Sequence, residues 1–330
     1  LRKKIEIKHV DNRPIAFINN KEIRGSLSIS HDGNYAIAIC NMKEQYQMNI
    51  SQEIKELMPK RKSESHKGDY GRIAILGGSS GMAGSVYMAS LSAMRTGAGM
   101  AFILAPKSIS EILQIKSNEQ IIKEIDCHNF YYSSEIVDQI LDNIEGKDTL
   151  IIGPGMGKGE DLNKLIGEII ASTDIDMVID ADGLNAISKD LSILKSNNKI
   201  ILTPHLGEFS RLTGLEIDKI KEDEESIAKK FAKNNDVVLV LKSDHTIVTD
   251  GLKFYKNEIG NPGMATAGVG DVLTGVIASL MKRLEPFEAA KLGVYIHSLA
   301  GDIASEKLGE DSLIATDVIE NLSEAIKRLR

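Results

Sequence analysis

From Arg72 onward the chain alternates short apolar runs with stretches of helical periodicity, and no other feature narrows its fold as much. The runs at 73–76, 100–104, 149–152, 177–179, 199–202 and 237–241 are rich in Ile, Leu and Val and bounded by glycine or polar residues. Between them, 85–95, 109–117, 134–143, 161–172 and 224–233 repeat apolar residues at helical spacing, and 270–282, 286–306 and 315–329 do so in succession. Strands without polar alternation are buried on both faces, which requires a parallel sheet covered by helices. The pattern predicts an α/β chain in three layers, αβα, with a mostly parallel central sheet. A further run at 246–249 follows 237–241 across Ser243, Asp244 and His245 and reads as a hairpin at the sheet edge.

Composition narrows the function. With 330 residues, 42% hydrophobic and 26% charged, the chain is neither a minidomain nor wholly disordered. A net charge of -7 offers no basic field to a nucleic-acid backbone, so no nucleic-acid partner is expected. Cys40 and Cys127 stand far apart, without a CxxC or a His/Cys cluster, which argues against a disulfide framework or a zinc site and fits a reducing cytoplasm. The basic start Leu1-Arg2-Lys3-Lys4 runs into Ile-Glu-Ile-Lys-His, too polar for a signal segment, and no apolar run approaches membrane-spanning length. A soluble cytoplasmic protein with small-molecule partners and no membrane association is expected.

The first fifty residues differ from the remainder. Ile5-Glu6-Ile7, Pro14 to Ile18, Ser26 to Ser30 and Tyr35 to Cys40 read as short strands separated by Asp11-Asn12-Arg13 and His31-Asp32-Gly33-Asn34. Through Glu53 there are eight Lys or Arg against six Asp or Glu, a balance of +2, whereas the rest carries 32 against 41, a balance of -9. This predicts a small β-rich N-terminal appendage over 1–50, a boundary near 43–53 and a main domain over 54–330. The polar stretch 59–68 reads as a linker or a lid.

Ligands of an open parallel sheet collect at the carboxyl ends of its strands, and glycine and polar residues gather there. The first strand runs into Gly77-Gly78-Ser79-Ser80-Gly81-Met82-Ala83-Gly84, which suits either phosphate at a helix start or a tight connection. It is not GxGxxG, and Gly153-Pro154-Gly155-Met156-Gly157 lacks the P-loop spacing, so neither a dehydrogenase nucleotide fold nor a Walker-type NTPase is supported. Asp180-Ala181-Asp182 suits hydrated magnesium or ligand hydroxyls, and equally a helix cap at Asp182. Thr203-Pro204-His205-Leu206-Gly207-Glu208 sets a His and a Glu just past a strand. Lys242, taken alone, reads as a solvated charge. The sharpest segment is 260–275, where a glycine-rich loop opens onto an apolar helix with Asp271 in its first turn. Free amides there make an anion hole, and an acid beside it suits a general base acting on a substrate hydroxyl, while a simple cap is the plainer reading.

These residues carry a resemblance. Residues 54–330 resemble the ADP/ATP-dependent NAD(P)H-hydrate dehydratases, a branch of the ribokinase-like superfamily, through His66-Lys67-Gly68-Asp69-Tyr70-Gly71, the 77–84 loop, Gly153-Pro154-Gly155, Asp180-Ala181-Asp182, 203–208 and Gly268-Val269-Gly270-Asp271. The resemblance implies a ribokinase-like fold and a repair reaction. ADP or ATP phosphorylates the ring hydroxyl of the S form of hydrated NADH or NADPH, and phosphate is then eliminated. It further implies Asp271 as the base, with amides of Gly268, Val269, Gly270 and Asp271 as the anion hole. Lys242, Ser243, Asp244, His245, Thr246 and Gly270 are the expected nucleotide contacts. Ser85, Gly155, His205 and Asp271 are expected on the substrate side, with Glu208 ordering water on Mg2+. Relatives of this kind often assemble, so a homo-oligomer is expected, with the final helices as available surface.

The chain departs from the family at Leu206, usually Pro, at Val269, usually Ser or Thr, at Ser243, usually Gly, and at Ser85, usually Ala. None of these changes removes a charged or nucleophilic group. The strands before residue 50 resemble the C-terminal strands of holo-acyl-carrier-protein synthase without that family's magnesium and catalytic motifs, as a truncated remnant would. The epimerase domain that often accompanies the dehydratase is not seen in the sequence. Within enzymes the alternative is a ribokinase-like kinase of a small hydroxylated vitamin precursor. From another class comes a non-catalytic nucleotide sensor, against which the intact Asp271 argues.

Overall fold

The structure, a computed structural model, describes residues 50–330 with their side chains and, before them, the backbone of strands at 5–10, 13–18, 21–22, 25–32 and 35–42. The chain divides into two units, Leu1–Ile50 and Ser51–Arg330. In the first, β1 (Ile5–Val10), β2 (Arg13–Ile18) and β3 (Lys21–Glu22) pair antiparallel in that order, and β4 (Gly25–Asp32) pairs with β5 (Tyr35–Met42) so that Asp32 stands opposite Tyr35. The turns expected at 11–12 and 33–34, and residues 43–49 of the expected boundary, lie outside the described residues.

In the second unit α1 (Gln52–Leu57) is followed by β6 (Arg72–Leu76), α2 (Ala83–Thr96), β7 (Met100–Pro106), α3 (Lys107–Lys116), β8 (Ile121–Ile125), α4 (Ser134–Ile144) and β9 (Thr149–Ile152). Next come α5 (Leu162–Ala171), β10 (Asp176–Ile179), α6 (Ala181–Ile187), β11 (Ile200–Leu202), α7 (Leu206–Thr213), α8 (Ile217–Glu222) and α9 (Glu224–Asn235). The chain closes with β12 (Val238–Leu241), β13 (Ile247–Thr249), β14 (Phe254–Lys256), α10 (Val269–Met281), α11 (Pro286–Leu308) and α12 (Ala315–Leu329). The sheet has nine strands in the order β14-β13-β12-β11-β10-β9-β6-β7-β8, all parallel except β13 and β14, which return antiparallel. The strands read from apolar runs are therefore present, and 246–249 forms the expected hairpin. It is not the edge, because β14 lies beyond it.

Strand order reverses between β6 and β9. The chain starts at β6, moves out through β7 and β8, returns to place β9 against the other side of β6, and then continues the opposite way. Such a switch point opens a crevice at the carboxyl ends of the two strands, which are where 77–84 and 153–157 leave the sheet. The outermost strands were not legible as apolar runs: β8 reads Ile-Ile-Lys-Glu-Ile with only Ile125 buried, and β14 is a three-residue edge.

The helix nearest the switch point is α10, buried along nearly its whole length against β9, β10, α2 and α11. Gly275 permits this approach, since a Cβ there would stand 2.0 Å from the Ala89 carbonyl oxygen of α2. The stretch 59–68 is no lid. The Arg61 guanidinium donates to the Gly97 carbonyl at 2.9 Å and lies 4.0 Å from the Tyr70 ring, tying the stretch to the C-terminal end of α2, opposite the carboxyl edge of the sheet. The negative end of the helix favours a cation there.

In urea denaturation, Gly275→Ala is expected to lower stability by about 2–3 kcal/mol through overpacking. Gly84→Ala, in the first turn of α2 with nothing within 4 Å of the added carbon, is expected to raise it by about 0.5–1 kcal/mol.

Candidate active site

Of the helices that begin over the carboxyl edge of the sheet, four bear the residues singled out in the sequence: α2 after β6, α6 after β10, α7 after β11, and α10 from the glycine-rich loop. Each start presents amides without an intrahelical partner and the positive end of a helix dipole. Only α7 caps itself with a side chain: His205 Nδ1 accepts from the amides of Gly207 at 2.9 Å and Glu208 at 3.3 Å. The starts of α2 and α10, at Met82 and Gly268, have no side-chain cap. Gly268 has φ +89°, a left-handed conformation that a residue with a Cβ resists, and it turns the loop into α10. The loop itself is tied to α11 by Asp302, which accepts from the Gly260 amide at 3.0 Å and from Asn261 Nδ2 at 2.9 Å.

Beneath these helix starts lies an ion pair. Asp180, which is 2% exposed, accepts from Lys242 Nζ at 2.9 Å and from the Thr274 hydroxyl at 2.9 Å. Burial alone would push this carboxyl up, but the Lys242 charge and the hydroxyls of Thr203 and Thr274 hold it below the usual range. Burial works against the Lys242 ammonium in turn, and the charges of Asp180, Glu208 and Asp271 outweigh it. Lys242 is thus not the solvated charge that its surroundings in sequence suggest. Its ammonium lies over the second residue of α10, where a Cβ on Gly270 would stand 3.2 Å from Nζ. Ala181, between two carboxylates, adopts φ +48°, and Asp182 on its far side accepts from the Gly157 amide at 2.8 Å. Asp182 therefore binds the glycine loop after β9 and does not cap α6, whose N-cap is Asp180.

Asp271 sits in the third position of α10, partly buried, with the Ser85 hydroxyl of α2 nearby. Burial pushes its carboxyl up to about 6, the charge of Asp180 adds to that, Ser85 and Lys242 oppose it, and Asp182 raises it further. A carboxylate tuned to this range accepts a proton more readily than one near 4 and is still ionised at neutral pH. Gly155 adjoins Ser85, since a Cβ on Gly155, at φ +59°, would stand 3.0 Å from Ser85 Cβ. The structure thus brings Ser85, Gly155, Asp271, Gly270 and Lys242 together, and His205 joins them because it forms a parallel bridge with Lys242.

His205 keeps about half its side chain exposed, and the partial burial of its ring with the neighbouring Lys242 and Arg211 charges pushes its imidazole below the ordinary value. Glu208 is 6% exposed. Its Oε2 accepts from the His205 amide at 2.9 Å, and its carboxyl is pushed up to about 7 by burial, against the pull of Lys242. Ser243, Asp244, His245 and Thr246 form the turn from β12 to β13: the Ser243 hydroxyl donates to the His245 carbonyl at 3.0 Å, and Asp244 and His245 are exposed. Two supporting residues escaped sequence reasoning. Thr274 looks like an ordinary member of an apolar helix. His297, 6% exposed within α11, donates from Nε2 to the Val269 carbonyl at 3.0 Å, steadies the first turn of α10, and is pushed down to about 4 by burial. Nothing in local spacing marks either residue.

A parallel sheet whose helix starts converge over its switch point, with an acid in the first turn of one of them, defines a protein of the ribokinase-like class. A solved ribokinase-like superfamily protein from Enterococcus faecalis matches this structure with a TM-score of 0.74 at 24% identity, covering 85% of this chain and 95% of that one. Within that class the chain belongs to the NAD(P)H-hydrate dehydratase family, whose profile matches residues 73–324. The chain is 38% identical over 277 residues to the bifunctional NAD(P)H-hydrate repair enzyme of Moorella thermoacetica, 82% of this chain and 52% of that protein. It spans about half the length of the curated relatives it matches. The ADP/ATP-dependent NAD(P)H-hydrate dehydratase of Bacillus subtilis, co-crystallised with ATP and Mg2+, is a structural match with a TM-score of 0.73 at 26% identity, covering 86% of this chain and all of that one.

Breaking the buried ion pair from one side leaves a charge unpaired, so Lys242→Met is expected to cost about 3 kcal/mol in urea denaturation, and Asp180→Asn/Lys242→Met together less than the two single changes combined. Because Asp180 is held below its unfolded value, its contribution is present at neutral pH and is lost as pH falls through the folded value. The Asp180→Asn variant should therefore lose less stability on acidification than the parent.

Proposed function

We propose that this chain catalyses nucleotide-dependent dehydration of the S form of hydrated NADH or NADPH, and that Asp271 is its base. The observation that carries the reading is an acid tuned to about 6 in the first turn of an uncapped, glycine-opened helix, beside a buried cation. Asp271 takes the proton of the ring hydroxyl. The hydroxyl oxygen then bonds to the terminal phosphorus of ADP or ATP, the phosphoanhydride bond breaks, and AMP or ADP leaves. Amides of Gly268, Val269, Gly270 and Asp271 hold the transferred group, whose negative charge the helix dipole and the Lys242 ammonium stabilise. Phosphate afterwards departs with the adjacent ring proton, restoring the dihydronicotinamide. Gly155, Ser85 and His205 line the substrate side, and the 242–246 turn with Gly270 receives the nucleotide.

Magnesium fits this site as an ion carried by the nucleotide. Among the described residues no three His, Cys, Asp or Glu are grouped to hold a metal, both Asp180 oxygens are occupied, and Glu208 Oε2 is committed to the His205 amide. Nucleotide phosphates and water would supply most of its ligands, with Glu208 ordering one water, and the ion would neutralise phosphate charge. No helix among the described residues is long and apolar enough to cross a membrane. A cytoplasmic homo-oligomer, with the chemistry in 54–330 and 1–50 as a separate β-rich appendage, completes the proposal.

The test follows the return of dihydronicotinamide absorbance from chemically prepared hydrated NADPH with magnesium and either ADP or ATP. Recovery that requires nucleotide supports the reaction, and its absence despite nucleotide binding would turn the reading toward a kinase of a hydroxylated vitamin precursor. Asp271→Asn is expected to bind nucleotide yet lose turnover by about a thousandfold or more. As the base must be ionised, parent turnover should fall as pH drops through about 6.

A further inference from the structure

The long helix α11 presents a stripe of Gly293, His297 and Gly301, which at successive intervals of four lie on one face. Each meets a different level of the segment opposite. A Cβ on Gly293 would stand 3.2 Å from Ile277 Cα in the middle of α10, and one on Gly301 would run into the Met264 side chain in the segment that leads to α10. Between these two close approaches the His297 imidazole reaches the Val269 carbonyl at 3.0 Å. A carbonyl only accepts, so Nε2 carries the proton, and burial keeps the ring neutral by pushing it down to about 4.

The Val269 carbonyl belongs to the same planar peptide as the Gly270 amide, and the two point in opposite directions, the carbonyl along α10 and the N–H toward its uncapped start. A bond on the carbonyl end fixes the plane that aims the N–H. It also draws electron density from nitrogen toward oxygen, which makes the N–H a stronger donor. We propose that His297 is a positioning residue for the anion hole: through the Val269–Gly270 peptide it orients and strengthens the Gly270 amide that receives the transferred phosphoryl group. This rests on the reading of the 268–271 amides as that hole. His297 lies behind the helix start, buried within α11, and acts without touching the ligand. Being neutral, it sharpens the hole without setting a second cation beside Lys242.

Val269-Gly270 is the one Val-Gly pair in the sequence, so protein labelled with carbonyl-carbon-13 valine and nitrogen-15 glycine shows this peptide as a single NMR correlation. The test compares parent, His297→Leu, which fills the space without a donor, and His297→Gln, whose Nε2 can reach the same carbonyl. In His297→Leu the Val269 carbonyl carbon and the Gly270 nitrogen are expected to move upfield, and turnover of hydrated NADPH to fall about tenfold with MgADP still bound. His297→Gln should bring both readouts back toward the parent. A role in packing alone predicts the reverse order, because leucine suits an apolar helix contact better than a carboxamide does. A correlation unmoved in His297→Leu overturns the proposal, as does turnover in His297→Leu equal to the parent's, or a His297→Gln protein with the parent's correlation and the turnover of His297→Leu. If the parent leaves hydrated NADPH unchanged, the proposed activity falls instead, and the affinity for MgADP, expected to be weaker in His297→Leu than in His297→Gln, then decides whether His297 serves the anion hole.

Discussion

The carboxylate of Asp180 is the point on which the site depends. It is an ionised group taken out of water at the end of a central strand, tolerable only because Lys242 and Thr274 reach it from segments 62 and 94 residues further along the chain. Satisfying that charge fixes three elements at once: the start of α6, the turn after β12 and the second turn of α10. Asp271 and Gly270 inherit their positions from this arrangement, as does the cation above them. The site is held by its electrostatics as much as by its core.

The four convergent helix starts give the same location a second kind of positive potential, from backbone and not from side chains. Together with one ammonium they make the region favourable to negative charge, while burial lifts the carboxyls of Asp271 and Glu208 toward neutrality. The Asp271 carboxyl is under opposing influences there: burial and the neighbouring carboxylates disfavour its charge, while the Lys242 ammonium favours it.

Much of this was legible before any coordinates. The central strands announce themselves because burial on both faces demands uninterrupted Ile, Leu and Val, and the glycine-rich entry to α10 announces a helix start whose amides no side chain caps. What stayed illegible was whatever depends on a distant partner. Lys242 looks solvated because its counter-charge is 62 residues away, Asp182 looks like a cap because Gly157 is 25 residues behind it, and Thr274 and His297 sit in apolar helices with nothing local to mark them. The edge strands β8 and β14 lack the double burial that made the others visible. The stretch 59–68 reads as a linker or a lid because cation stacking on Tyr70 has no signature in spacing.

The reversal of strand order between β6 and β9 also governs how such a chain must assemble. Pairing these two strands sets Ile73 beside Thr149, closing a long loop that already contains β7, β8 and three helices, and loop closure of that length is entropically slow to initiate. The crevice exists only once that pairing is made, since its two glycine loops belong to the two strands that the pairing joins. The site in this architecture therefore depends on a long-range pairing, and a sheet that lacks it would hold no crevice.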